Sequence, residues 1–301
     1  MRIAHINNTS GVASTISRQQ NKENHISEVF LFNKSNFKAF GGRKFNYYSP
    51  FSRWKFFRVI NEFELWHYHH PYGSLKKSLE KRKGDRLYVK HYHGFELRQS
   101  PDHEFCLVST PDLLEYAPNG KWLPNPIDID LIKSIPSSSN DSTHSKGNIR
   151  IGYYPKLYQK DMCSSEQRLT ESTLMKLQHT GGCILSPIIG LSSVDALFEI
   201  GKCDIIVGKI LPTIGWIGRF ELEAMALGKP VIAHVSDVLY EKYKPPVHRT
   251  SPKTLKQDLE YLIEETDYRK QLANSGLVYV MKYHSPECIT AQLDNWYKKL
   301  C

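Results

Sequence analysis

Residues 213–237, TIGWIGRFELEAMALGKPVIAHVSD, constrain the fold more than any other stretch of the chain. They read as a glycine-containing loop, a short helix, a sharp stop and a buried strand. Gly215 and Gly218 carry no Cβ, so the backbone there can approach a ligand closely. Residues 219–227 are strong helix formers, with Glu221 and Glu223 in the first turns, where the helix dipole favours negative charge. Gly228 stands where a left-handed cap is wanted, and Pro230 cannot extend the helix. Residues 231–235 are then apolar without interruption, as in an interior strand of a parallel sheet. A loop feeding a helix N-terminus presents unbonded N–H groups and a positive dipole end, which together suit a phosphate. Glu223 has the chemistry to accept two hydrogen bonds from a ribose diol. Glu221, two residues earlier, points about 200° around the helix and is expected to matter less to a ligand. An ordinary βαβ crossover has the same local pattern, so these residues alone leave both readings open.

The remainder alternates in the same way. Residues 2–7 read as a strand, 8–11 as a turn, and a helix begins near Val12, the usual entrance to a doubly wound sheet. Further strands are expected at 27–32 and 45–48. In 52–61, Phe56, Phe57 and Ile60, with Phe63 beyond, share one helical face, among the basic Arg53, Lys55 and Arg58. That face suits packing on a sheet or lying in a membrane interface, and the strand expected at 64–68 favours packing. Ser74 is expected to cap a helix that carries Lys76, Lys77, Lys81, Arg82 and Lys83 around Leu75 and Leu79. WHYHH (66–70) and KHYHGFELR (90–98) are histidine-rich strands, with His67 and His69 on one face, as are His91 and His93. Four imidazoles on neighbouring strands have zinc-ligand chemistry, but packing and hydrogen bonding are the commoner use of this alternation, so no metal is expected. After a strand at 105–110, Pro111 falls at a first helical position. PSSSNDSTHSKGN (136–148) cannot bury a core and reads as an interdomain linker. Strands at 149–153, 183–185 and 204–207 then alternate with helices at 165–179 and 193–201. Helices follow at 252–265 and 267–282, and the last, 286–300, sets Ile289, Leu293 and Trp296 on one face.

A chain of 301 residues with 40% hydrophobic and 24% charged residues fits two soluble domains. The first residues contain no long apolar run, so no signal peptide is expected, and no run in the sequence approaches the ~20 apolar residues a spanning helix needs. Six cysteines at 106, 163, 183, 203, 288 and 301 form no CxxC pair and suit a reducing cytosol. The formal charge of +9 is uneven: residues 1–100 hold 18 Lys/Arg against 7 Asp/Glu, and the rest hold 22 against 24. A basic first half points to an anionic partner, whether a membrane surface, an acidic glycan or nucleic acid, or to a solvated basic face. No nucleic-acid recognition motif accompanies it, so no nucleic acid is expected as partner.

GWIGRFELEAMALGKPVIA resembles the nucleotide-sugar segment of GT-B glycosyltransferases, family 4 especially, and EAMALGKPVIA is its most specific part. One position departs: the glutamate usual eight residues before the one matching Glu223 is here Gly215, as in branches with a glycine-aromatic-x-glycine sequence. HGFELR is similar to the family's histidine-glycine-x-acid-x-arginine sequence, and KWLPNPID (121–128) to the end of its first domain. The resemblance implies an α/β fold of two Rossmann-like doubly wound domains facing a cleft, with a C-terminal helix crossing back. The corresponding spans are 1–134, a linker at 135–147, 148–285, and 286–301. It implies a glycosyltransferase that moves a sugar from a nucleotide-diphosphate donor to a hydroxyl of a glycan or lipid-linked acceptor, with retention. His93 would meet the donor sugar as the catalytic-site histidine, although a structural histidine before a turn fits the residues too. Gly11, Arg98, Lys156, Lys160, Gly215, Gly218 and Glu223 would bind the donor. No Asp-x-Asp lies near a strand end, since IDID (127–130) falls beside the linker, so neither metal nor other cofactor is expected. The protein would be cytoplasmic, peripheral on the inner membrane face through the basic patch at 76–83. Gly215 also admits another class, a catalytically silent GT-B subunit that binds a partner or glycan.

Overall fold

The computed structural model describes residues 1–32, 40–46, 48–71, 73–136, 149–155 and 165–300. It divides into two compact units, one of residues 1–126 with 283–301 and the other of residues 127–282. Each unit is a parallel sheet with helices on both faces, as unbroken apolar strands separated by amphipathic helices require.

The first sheet contains β1 (Arg2–Ile6), β2 (Ile26–Leu31), β3 (Arg43–Lys44), β4 (Leu65–His69), β5 (Leu87–Tyr92), β6 (Leu107–Val108) and β7 (Lys121–Trp122), in the order β3-β2-β1-β4-β5-β6-β7. Its helices are α1 (Val12–Lys22), α2 (Pro50–Ile60), α3 (Gly73–Arg82) and the single-turn α4 (Phe95–Gln99). Ser49 caps α2 by accepting the Ser52 N–H, and Pro50 fills the first turn, where a missing N–H costs nothing. Phe56, Phe57 and Ile60 of α2 pack with Phe63, Phe30, Trp66 and Tyr68 in a buried aromatic core, so the apolar face of this helix is used within the unit. The third strand lies at 43–44, just before the 45–48 expected from its aromatics, because Phe45 turns into that same core. The opposite face of the sheet is covered by α1 and by α12 (Pro286–Leu300), whose Ile289, Leu293 and Tyr297 join Ile3, Val12, Ile16, Leu65 and Val89. The end of the chain is thus built into the first unit.

The second unit begins with α5 (Ile129–Ser134), capped by Asp128. Its strands are β8 (Arg150–Tyr153), β9 (Ile184–Pro187), β10 (Ile205–Val207), β11 (Val231–Ala233) and β12 (His248–Arg249), in the order β12-β11-β10-β8-β9. The helices are α6 (Ser165–His179), α7 (Ser193–Gly201), α8 (Arg219–Ala226), α9 (Asp237–Tyr243), α10 (Leu255–Glu264) and α11 (Thr266–Tyr283). One side of the core joins Ile151, Ile205 and Val207 to Leu174 and Leu177 of α6 and to Leu255, Leu259 and Leu262 of α10. Cys106, Cys183 and Cys203 are buried free thiols that act as small apolar residues. No helix among the described residues is long and apolar enough to cross a membrane.

Candidate functional site

In the second sheet β8 is flanked by β9 on one side and β10 on the other, so the strand order reverses there. Loops leaving such a pair at their carboxyl ends diverge, and the crevice they open is where doubly wound sheets bind ligands. The loop 208–218 leaves the carboxyl end of β10 at that reversal, and Tyr154, just after β8, has its ring 6.2 Å from that of Phe220 in α8.

Glu221 shapes this loop. Its side chain is buried; Oε1 accepts the Lys209 N–H at 2.6 Å and Oε2 the Gly218 N–H at 2.9 Å. One carboxylate therefore ties the first turn of α8 to both ends of the loop, because the side of the helix away from Glu223 is occupied by the loop itself. Gly218, as N-cap, has no side chain to accept a first-turn N–H, while Glu221 at the third helical position accepts the Gly218 N–H as in a capping box. A Cβ at Gly218 would lie only 2.4 Å from Lys209 Nζ. The glycine thus admits an ammonium beside the first turn of α8, where Glu221 Oε2, 3.4 Å from the same point, already supplies a negative charge that two main-chain N–H groups hold. Gly215, at φ +64°, is held by its N–H to Leu211 O and by its own carbonyl to the Ser236 N–H, each 3.0 Å. A Cβ there would fall 3.0 Å from Ser236 Cβ, at a backbone angle that L side chains rarely adopt, so a side chain at this position would be strained. Glu223 is half-buried, and its Oε1 accepts Arg219 Nε–H at 2.6 Å. Any diol would share this carboxylate with Arg219. Lys156 and Lys160 lie outside the described residues.

The first unit reverses its strand order between β1 and β4. Gly11 precedes α1 at φ +79°, and a Cβ there would strike the Phe40 ring at 2.7 Å. The tight turn and the aromatic ring account for this glycine by themselves. Beneath the strand ends lie five imidazoles. β1 pairs with β4 so that His5 opposes His67, and β4 with β5 so that His69 opposes His91. His5 Nδ1 is 3.0 Å from His69 Nε2, His69 Nδ1 is 3.2 Å from His93 Nε2, and His67 Nε2 is 3.2 Å from His91 Nδ1. Gln20 of α1 meets His5 Nε2 at 2.8 Å, and Tyr297 of α12 meets His67 Nδ1 at 2.7 Å. Burial lowers all five pKa values, to about 4 for His5 and His93, and neighbouring imidazoles depress those of His67, His69 and His91 further. These rings are neutral at physiological pH.

Since His93 Nε2 faces His69, the nitrogen left for another partner is Nδ1. The loop that holds His93 is fixed by buried Glu96, which accepts the His93 N–H at 2.5 Å and pairs with His70 at 3.1 Å. Burial opposes the Glu96 charge, but these two partners outweigh it and hold the carboxyl at about 2. Arg98 forms an ion pair with nearly buried Asp112, so its guanidinium is anchored within the first unit. Lys77, Lys81, Arg82 and Lys83 are exposed. Lys76 is not part of their patch, because its Nζ turns inward to Tyr92 Oη at 3.0 Å and toward Asp102 at 3.7 Å. Sequence reasoning passed over Lys209, His5 and the tethering role of Glu96. For Lys209 a signal existed: a lysine directly after IIVG, at a strand end that feeds a glycine loop.

No family model matches the chain, and no curated protein does. Among solved structures it is similar to sucrose-phosphate synthase from Thermosynechococcus elongatus, at 12% identity over 100% of this chain and 99% of that one, TM-score 0.67. It is likewise similar to Anabaena HepE, solved in complex with UDP-glucose, at 14% identity over 99% and 100% of the chains, TM-score 0.66. A putative UDP-N-acetylglucosamine 2-epimerase from Listeria monocytogenes matches at 11% identity over 99% and 97%, TM-score 0.62. Likeness at such identities is a likeness of fold. Two Rossmann-like units, with the last helix built into the first, give this chain the GT-B architecture.

Proposed function

We propose that the protein is a glycosyltransferase that moves a sugar from a nucleoside diphosphate donor to a hydroxyl of a glycan or lipid-linked acceptor, with retention. The observation that carries this reading is the Lys209 ammonium over Gly218 at the open N-terminus of α8, beside a strand-order reversal. A diphosphate would meet the ammonium and the main-chain N–H groups of the helix end, the Glu221 carboxylate being already engaged by two amides. The same groups stabilise the charge that grows on the β-phosphate as the glycosidic bond breaks, so the diphosphate needs no divalent cation. Glu223 accepts from the ribose diol while keeping its bond to Arg219. His93 addresses the donor sugar through Nδ1. With glycine at 215 in place of a carboxylate, sugar contacts come from the loop backbone and from the first unit. The likeness to a structure holding UDP-glucose makes uridine nucleotides the first to try.

A thermal-shift panel of nucleotide sugars, followed by turnover assays with those that stabilise the chain, tests the reading. One nucleotide class is expected to raise the melting temperature and to be consumed. Stabilisation without turnover or hydrolysis would make the chain a silent binding subunit. No stabilisation by any nucleotide would overturn the reading.

A further inference from the structure

The imidazole cluster of the first unit holds more ligand chemistry than a transferase of this kind uses. Two sets of three histidines each bring one ring nitrogen apiece within 4.8 Å of the others, His5 with His67 and His69, and His69 with His91 and His93. The two sets differ in what remains for an ion. In the first, both nitrogens of every ring are engaged: His5 by Gln20 and His69, His67 by Tyr297 and His91, His69 by His5 and His93. In the second, His91 uses Nδ1 on His67 and leaves Nε2 buried with no hydrogen-bond partner among the described residues. Whichever tautomer His91 adopts, that nitrogen is an unmet donor or an unmet acceptor, which a folded chain rarely tolerates.

We propose that His69, His91 and His93 form a three-imidazole site for one late first-row divalent ion, with Zn2+ as the reference, bound through His69 Nδ1, His91 Nε2 and His93 Nε2. The spacing is suitable: two nitrogens on one tetrahedral Zn2+, each about 2.0–2.1 Å from it, stand roughly 3.3 Å apart, and His69 Nδ1 is 3.2 Å from His93 Nε2. The outer contacts are suitable as well. A metal-bound imidazole usually donates its other N–H to a fixed acceptor. With metal on the other nitrogens, His69 Nε2–H would donate to His5 Nδ1, and His91 Nδ1–H to His67 Nε2, contacts of 3.0 and 3.2 Å. His5 then donates to Gln20 Oε1, and His67 to Tyr297 Oη. One consistent set of neutral tautomers thus leaves three lone pairs converging. His93 is half-buried while His69 and His91 are fully buried, so solvent reaches the site from the His93 side, where water supplies a further ligand. A set of nitrogens alone selects Zn2+, Co2+, Ni2+ or Cu2+ over Mg2+ or Ca2+. The ion takes no part in the diphosphate contacts of the second unit. With metal on Nε2, His93 keeps its proton on Nδ1 and faces a sugar oxygen as a donor; that consequence rests on the transferase reading, whereas the site does not.

The test uses the full chain, stripped with EDTA, titrated with Co2+ by visible absorption and with Zn2+ by calorimetry and elemental analysis. One equivalent per chain is expected, with the intense visible bands of low-coordinate Co2+. His91→Gln is expected to weaken binding at least ~100-fold, and His5→Gln, which removes an outer acceptor, about 10-fold. His25→Gln, a change in a ring that meets Asp294 outside the cluster, should leave binding unchanged. Absence of stoichiometric binding by the parent chain overturns the proposal, and so does a folded His91→Gln variant that binds as tightly. Should His91→Gln fail to fold by circular dichroism, the parent Co2+ spectrum and His93→Asn at the half-buried end of the cluster decide. UDP binding, measured on the same samples, separates failure of this site from failure of the transferase reading.

Discussion

Both units set their polar groups where the strand order reverses, but from opposite materials. The first unit uses five side chains that hold one another, all imidazoles made neutral by burial. The second uses glycines and main-chain amides around one ammonium, with a single buried carboxylate as internal fastening. A network of neutral rings offers lone pairs and protons in fixed directions but no net charge. A glycine cradle at a helix end offers fixed positive charge and close approach. On the proposed transferase and metal-site readings, the first unit takes the sugar and the ion, and the second takes the anion.

Breaking the fastening of the second unit is expected to have the largest effect. Glu221→Ala removes two bonds to a buried carboxylate, each worth about 1.5–3 kcal/mol, and strands the Lys209 and Gly218 amides. A loss on the order of 3 kcal/mol in denaturant unfolding is expected, with Glu221→Gln intermediate. A variant as stable as the parent would show that the loop holds itself.

Acid should probe the first unit more than the second. Burial lowers His284 from 6.5 to about 4 while its Nδ1 lies 2.8 Å from the Asn125 carbonyl. The unfolded chain binds the proton first, so stability is complete above pH 6.5 and is lost as pH falls from 6.5 toward 4. At about 1.4 kcal/mol per pH unit, His284 alone removes roughly 2 kcal/mol by pH 5. Urea unfolding at pH 7 and pH 5 measures this, and His284→Gln should flatten the slope. An equal slope in that variant would remove His284 as a source.

Ligand contacts come next in size. Glu223→Ala is expected to weaken donor binding at least ~10-fold by calorimetry, with folding intact, since one or two charge-assisted bonds are lost. Unchanged affinity would show that Glu223 serves only Arg219. The smallest effects belong to single surface charges. Lys77→Gln should weaken pelleting with anionic vesicles by about 1 kcal/mol at most, and Lys76→Gln by less, because that amine turns inward. Equal losses would return Lys76 to the surface patch.

What the sequence disclosed and what it hid follow from the range of the forces. The doubly wound alternation and the stop at Gly228 and Pro230 rest on neighbours within a few residues, and local pattern carries them. The faces of the histidine strands were legible for the same reason, because alternation on a strand is fixed by the pleat. His5 was not, since its place beside His67 depends on pairing across 62 residues. Glu221 was placed on the right side of its helix, but the loop that fills that side begins at Lys209, twelve residues back. Lys76 looked like its basic neighbours until Tyr92 and Asp102 gave its amine an interior partner. The glycine loop was legible in the sequence, while the ammonium set beside Gly218 comes from the preceding strand end.

The most direct test of this division of labour is calorimetric titration of UDP into the parent chain, Lys209→Ala and His93→Ala. Lys209→Ala is expected to lose at least ~10-fold in affinity, for a charge-assisted phosphate contact of about 1.5–3 kcal/mol. His93→Ala is expected to bind UDP as the parent does. If Lys209→Ala binds UDP unchanged, or His93→Ala loses as much as Lys209→Ala, the nucleotide is not held by the glycine cradle of the second unit and the division fails.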